Sequence, residues 1–286
     1  MKVRKSFVLT SALPSSASDI TLFEKALVLL KDAGYETVEF YADFDIAAQY
    51  KEILEKYGLE GIFLAAGYQK KNNLCLCDVN EVERRKAIVE TMRCIDAAQS
   101  CKVDTVLITS GVYPGAAAEQ LSWENLSKSI KELADYSPTT ILTMEPGDRA
   151  VDARQLAGPT EQTVNWAKQL QSVCPNFRLT MDTSHIAQLG ERACDSISLS
   201  KGICSHIHLA NCILKPNHPL YGDKHPFFSH ADAVYSLESL KLIASDIIEH
   251  YPGPVTLAIE IINRSSNEWQ EFLNILEEER WFSDLV

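Results

Sequence analysis

Three segments, TTILTME (139–145), FRLTMD (177–182) and CSHIHLA (204–210), decide the fold. Each is a short apolar run with a polar residue at or near its end, and helical spacing of apolar residues fills the intervals behind start signals such as Gly158-Pro159-Thr160. The alternation continues in both directions. Strand-like runs precede at SFVLTSAL (6–13), TVEFYA (37–42), GIFLAA (61–66) and TVLITSG (105–111), and one follows at PVTLAIEI (254–261). Between them Ile20, Phe23, Leu27 and Leu30, and later Ile88, Met92 and Ile95, recur at helical intervals, with Ser18-Asp19, Asp78 and Asn267 as further helix starts. Eight strands in 286 residues leave about 36 residues per unit, the size of one strand, one helix and two loops. The expectation is an α/β protein, a single (β/α)8 barrel domain over residues 1–286. An open doubly wound sheet is the alternative, but its phosphate-binding glycine loop is missing, because the first turn reads LPSSASD (13–19).

Composition bounds the function. The apolar share is 46% and the charged share 23%, ordinary for a globular chain, and no apolar run approaches the roughly 20 residues that span a bilayer. From 31.9 kDa the folded surface should be about 12,200 Å², against about 46,000 Å² unfolded, enough burial for one large core. The net charge of −12 repels phosphate backbones and anionic lipid, so neither nucleic acid nor membrane is an expected partner. The eight cysteines form no CxxC pair, and several fall in apolar patterns. They read as reduced thiols of a cytoplasmic protein. The basic start leads into an apolar stretch, Phe7 to Leu13, too short for a secretory signal and read as the first strand.

In such a barrel the active site lies at the C-terminal ends of the strands. Glu145 ends the fifth, Asp182 the sixth, His208 the seventh and Glu260 the eighth. If these faces point inward, three carboxylates and an imidazole meet, and carboxylates buried together need a cation. An oxygen-rich set with one nitrogen suits manganese, with magnesium or cobalt as alternatives, better than structural zinc. His206, one pleat deeper than His208 on the same face, reads as a partner behind the ligands.

The combination of MEPGDR (144–149), MDTSH (181–185), HIHLAN (206–211) and AIEI (258–261) resembles the xylose isomerase-like barrel superfamily, the sugar phosphate isomerase and epimerase group with ketose 3-epimerases and hydroxypyruvate isomerases. That resemblance implies one divalent ion on Glu145, Asp182, His208 and Glu260, the two glutamates also exchanging protons with substrate, and His185 near a substrate oxygen. The sequence departs from ketose 3-epimerases where they carry a second glutamate and an arginine, positions held here by Val151 and Leu214. Arg149, Lys215, Asp223, Lys224 and His225 are the candidates to replace them in substrate binding. The implied activity is metal-dependent isomerisation or epimerisation of a small keto-sugar, sugar acid or sugar phosphate through an enediolate. Alternatives are dehydration of a keto-inositol-like substrate, a non-catalytic sugar-binding barrel, and an endonuclease IV-like phosphodiesterase. The last is suggested by the Asp223-Lys224-His225 spacing, but the metal-binding histidines it needs are missing from LAAGYQ (64–69) and TSGVYPG (109–115). A homodimer or homotetramer is left open as the assembly.

Two connections exceed what a barrel needs, 67–78 after the third strand and 211–236 after the seventh, and long loops in a compact domain usually serve the site. They are expected to form a lid, with Tyr68, Tyr113 and Tyr221 as candidate walls. The tryptophans, Trp123, Trp166, Trp269 and Trp281, are expected in helices at packing positions.

Overall fold

The computed structural model describes residues 3–283 and 285. Eight parallel strands close on themselves: β1 Val3–Val8, β2 Thr37–Phe40, β3 Glu60–Leu64, β4 Thr105–Ile108, β5 Ile141–Met144, β6 Phe177–Asp182, β7 Cys204–Leu209 and β8 Val255–Ile259. The ring is sealed where β1 pairs with β8, Phe7 opposite Ile259. The surface of 12052 Å² matches the expectation from mass.

Alternation along each strand sorts the side chains. Phe7, Val38, Phe40, Phe63, Val106, Leu142, Leu179, Ile207 and Leu257 point outward and join the helices in one large core. Phe40 anchors it near β2, stacked on Tyr50 with ring centroids 5.5 Å apart. Inside the barrel Val8, Ile62, Leu64, Leu107 and Ala258 form a separate small apolar cluster. The other strands place polar residues inside, with Glu39 on β2, Thr143 on β5, Thr180 on β6 and His206 on β7, all buried. The interior therefore holds a small apolar cluster beside a set of buried polar residues.

Helices follow the strands as the punctuation implies. Asp19 caps Ile20–Asp32 through Thr21 and Leu22 amides, and Asn267 caps Glu268–Glu278. Helix Glu81–Ser100 starts later than expected, capped by Asn80, while Asp78 accepts from the Asn80 amide. Two expected strand ends are helical instead: residues 9–12 form the helix Leu9–Ala12, and Ala65 and Ala66 open the helix Ala65–Lys71. Pairing with β8 ends at Phe7 opposite Ile259 and pairing with β2 ends at Val8 opposite Glu39, and beyond it the backbone satisfies itself in a helical turn, Leu13 N donating to Leu9 O at 2.7 Å. The four tryptophans lie in helices, and Trp123 packs on Trp166 at 5.0 Å.

A candidate metal centre at the C-terminal rim

The ligand set is assembled by register. A register shift between Leu179 and Thr180 sets Thr180 opposite His206 and Asp182 opposite His208. Glu145 and Glu260 are the first residues beyond β5 and β8, each tied to the adjacent strand by its own amide, to Ile108 O at 3.0 Å and Leu209 O at 3.1 Å. One donor atom from each of Glu145, Asp182, His208 and Glu260 lies within 4.8 Å of the others. His208 Nδ1 is 3.0 Å from Glu145 Oε1, 3.0 Å from Glu260 Oε2 and 3.8 Å from Asp182 Oδ2.

These atoms approach one another without hydrogen-bonding. Glu145 Oε1, Asp182 Oδ2 and His208 Nδ1 are buried and unpartnered. Lone pairs converging on one point, without donors to separate them, are the arrangement a cation satisfies, so the residues fit the divalent ion that the family resemblance implies. Burial and the nearby Glu145 and Glu260 charges push the Asp182 carboxyl above its ordinary range, which a bound cation would reverse. Asp182 Oδ1 is already used, accepting from the Ser184 amide at 2.6 Å and the His185 amide at 3.2 Å, which leaves Oδ2 for the site.

Behind His208 lies a residue that the sequence reading passed over. Glu39, completely buried on β2, takes His208 Nε2 at 3.0 Å on one oxygen and His206 Nε2 at 2.8 Å on the other. Ser6 Oγ donates to it at 2.8 Å, and His206 Nδ1 continues to Thr180 and Thr143, at 3.1 and 2.6 Å. The chain of contacts crosses the barrel from β1 to β5. Burial would raise the Glu39 carboxyl, but the two histidines hold it well below the usual range. By fixing the proton on His208 Nε2, Glu39 presents Nδ1 to the ligand point. The signal was an acid inside the apolar run TVEFYA, the same anomaly that marked Glu145 and Glu260.

A second cluster adjoins the first. His185, Asp223 and His225 bring donor atoms within 4.8 Å of one another. His225 Nε2 is 2.7 Å from Asp223 Oδ1, and its Nδ1 is 3.4 Å from Glu260 Oε2. Ser11 Oγ holds the other Glu260 oxygen at 2.9 Å. Burial alone would lower the His225 imidazole, but Glu260 and Asp223 carry it well above its usual value.

The quartet opens into a cavity of about 940 Å³, lined by Glu145, His208 and Glu260 together with His185, Asp223 and His225. Residues 67–75 line it too, so both long connections reach the ligand end of the barrel. Lys70 Nζ joins them through Asp223 Oδ2 at 3.1 Å. Tyr68 is in the wall, whereas Tyr113 and Tyr221 are not among the lining residues.

Three substrate-binding candidates, Arg149, Lys215 and Lys224, are not brought to the quartet. Arg149 lies 4.0 Å over the Tyr113 ring, donates to Leu156 O at 2.7 Å and faces Glu119 at 3.4 Å. Buried Asp148 turns the chain there by accepting the Val151, Asp152 and Ala153 amides, which carries Arg149 away from the cavity. Lys215 pairs with Asp232 at 3.1 Å in an exposed loop. Lys224 bonds Asp152 at 2.6 Å rather than entering the cavity.

With this geometry in place, the comparisons agree with the fold. A model of the xylose isomerase-like TIM barrel family matches residues 27–278, and the chain belongs to that family. Among solved structures it is similar to an L-ribulose 3-epimerase, with TM-score 0.72, 14% identity, and 99% of this chain and 94% of that one covered. The IolI protein, solved with a binding zinc atom, gives TM-score 0.71, 14% identity and coverage of 99% and 98%. An AP endonuclease, family 2, from Brucella melitensis gives 0.67, 16%, and coverage of 99% and 98%. No curated protein matches the chain. Among the described residues no helix is long and apolar enough to cross a membrane.

Proposed function

We propose that the protein is a divalent-metal-dependent isomerase or epimerase of a small polyhydroxylated carbonyl compound. The observation that carries this reading is the convergence of Glu145, Asp182, His208 and Glu260 beside a large cavity, with Glu145 Oε1, Asp182 Oδ2 and His208 Nδ1 buried and unpartnered. A divalent ion held by these four, manganese being the expected one, supplies Lewis-acid polarisation of a carbonyl oxygen and its neighbouring hydroxyl. The protein's own residues do the rest. Glu145 and Glu260 come from strands on different sides of the ring and serve as the two proton-transferring groups, one removing a proton from the carbon beside the carbonyl and the other returning one. Ser11 orients Glu260 by occupying its second oxygen. His185 and His225, whose imidazoles the neighbouring carboxylates raise above their ordinary value, line the cavity and face substrate oxygens. The connections joined by Lys70 and Asp223 exclude water from the enediolate. The epimerase named among the structural neighbours points the same way.

Screening keto-sugars and sugar acids in D2O with manganese tests this. Solvent deuterium should enter the substrate at the carbon beside the carbonyl. In Glu260→Gln at saturating manganese, turnover should fall by the roughly 10²- to 10⁴-fold typical of a lost general acid or base. Wild-type turnover in that variant would contradict the reading.

One observation favours a second reading. The His185, Asp223 and His225 cluster beside Glu260 could hold a second cation, as a phosphodiesterase would use. The net charge of −12 opposes a nucleic-acid substrate. Hydrolysis of bis(4-nitrophenyl) phosphate that depends on His225, without deuterium exchange in any carbonyl compound, would select it.

A further inference from the structure

The segment between helix Ala65–Lys71 and helix Glu81–Ser100 carries two cysteines, Cys75 and Cys77, that the metal chemistry does not use. A turn closes over them, Asp78 N donating to Cys75 O at 3.3 Å, and it brings the two sulfurs within 3.4 Å. The turn is held from several sides. Ser129 Oγ donates to Leu76 O at 2.7 Å, Asn125 Nδ2 to Asp78 O at 2.9 Å, and Cys77 N to Ser110 O at 3.1 Å. Leu76 between them is fully buried. The pair is thus pre-positioned by packing, so bringing the sulfurs together requires little further ordering of the chain.

The two thiols differ in access. Cys77 is buried, while Cys75 is half-buried and lines the cavity. Gly111 makes room for it: at φ +99 its missing Cβ would press on the Cys75 side chain and lie 2.9 Å from Cys75 Cα. The Cys77 S–H beside Cys75 lowers the Cys75 thiol below its ordinary value, and the same contact raises Cys77. A cavity-facing, half-buried sulfur of lowered pKa next to a buried partner 3.4 Å away is the arrangement of a peroxide-reactive pair.

We propose that Cys75 and Cys77 are a reversible thiol–disulfide site in the wall of the cavity, oxidised by hydroperoxides. The Cys75 thiolate attacks the peroxide, the O–O bond breaks, and the departing oxygen leaves as water or alcohol after taking a proton. The resulting Cys75 sulfenic acid is attacked by the Cys77 sulfur, the S–O bond breaks, and hydroxide leaves as water with the Cys77 proton. Two thiols lose two electrons, and the peroxide gains them. A dithiol reductant reverses the step by exchange. The S–S bond, about 2.05 Å, replaces a 3.4 Å contact and draws the Cys75 sulfur toward Cys77. This inference does not depend on which reaction the cavity supports.

Hydrogen peroxide treatment of the full chain, followed by iodoacetamide, trypsin and mass spectrometry, tests it, with exposed Cys194 as internal reference. The peptide from Asn72 to Arg84 contains both sulfurs and no other cysteine. It should lose both alkyl tags, become lighter by two hydrogens before Cys194 is oxidised, and regain both tags after dithiothreitol. In Cys77→Ser, Cys75 should accumulate as a sulfenic acid trapped by dimedone, an adduct scarce in the wild type. A peptide that keeps both tags while Cys194 oxidises, or a disulfide from Cys75 to any other cysteine, would overturn the proposal. The wild-type result is decisive even if the variant fails to fold.

Discussion

Glu39 Oε2 lies 3.0 Å from His208 Nε2, inside the barrel and on the opposite side of the imidazole ring from the three ligand carboxylates. A buried carboxylate there does two things. It selects the tautomer that leaves Nδ1 free, and it fixes the plane of the ring against β7. Its other oxygen ties His206 into the same network, so one acid on β2 positions a site whose ligands lie on and just beyond β5 to β8.

Removing that acid should therefore act on metal binding. Glu39→Gln is expected to weaken divalent-ion affinity about 10- to 100-fold, the usual cost of losing a partner behind a ligating histidine. The check is competition against a metal indicator, with circular dichroism confirming the fold. Unchanged affinity would mean that His208 needs no orientation.

Metal affinity should also depend on pH. Burial opposes a charge on His208, but Glu39 and the ligand carboxylates outweigh it and raise the imidazole well above its ordinary value. Asp182 is raised as well. In the metal-free protein both groups hold protons to higher pH than usual, and an ion must displace them. Apparent affinity should rise about tenfold per pH unit for each proton displaced and level off once both groups are deprotonated. Titrations across neutral pH would show the slope. An affinity that fell with rising pH, with free metal held constant, would contradict this sign.

A third expectation concerns the wall of the cavity. Gly111→Ala places a Cβ against Cys75 in a left-handed backbone conformation, and about 1–3 kcal/mol of stability should be lost. The lost stability should appear as a lower urea midpoint. Gly115, also left-handed but with nothing within 4 Å of its would-be Cβ, is the control for the backbone effect alone.

The barrel was legible because its signal repeats. Eight apolar runs at near-even spacing survive errors of a few residues at each end, and FRLTMD occupies β6 from Phe177 to Asp182 without error. What failed was local. Leu9–Ala12 and the pair Ala65 and Ala66 continue apolar runs and read as strand, but they make no ladder pair at the rim, and pairing is not a property of one segment. At the site, Glu145, Asp182, His208 and Glu260 were visible as polar residues in apolar runs. Glu39 shares that mark, yet it precedes the ligands by a hundred residues and sits on β2, where attention to β5 through β8 does not reach. Arg149 and Lys215 were chosen for nearness in sequence to the ligands. Their side chains are claimed by Tyr113 and Glu119 in one case and by Asp232 in the other.

Stability supplies a further check on the metal. An ion bound only by the native state should raise the melting temperature, adding about 2.7 kcal/mol at a hundredfold excess over Kd, and chelator should reverse the shift. No shift in either direction would count against the ligand assignment.

The most direct test is calorimetric titration of chelator-stripped protein with manganese, comparing wild type with Asp182→Asn and His225→Ala. A first equivalent that binds the wild type and His225→Ala but is lost or strongly weakened in Asp182→Asn is the predicted result. Absence of binding in the wild type, or a first equivalent indifferent to Asp182, would contradict the account.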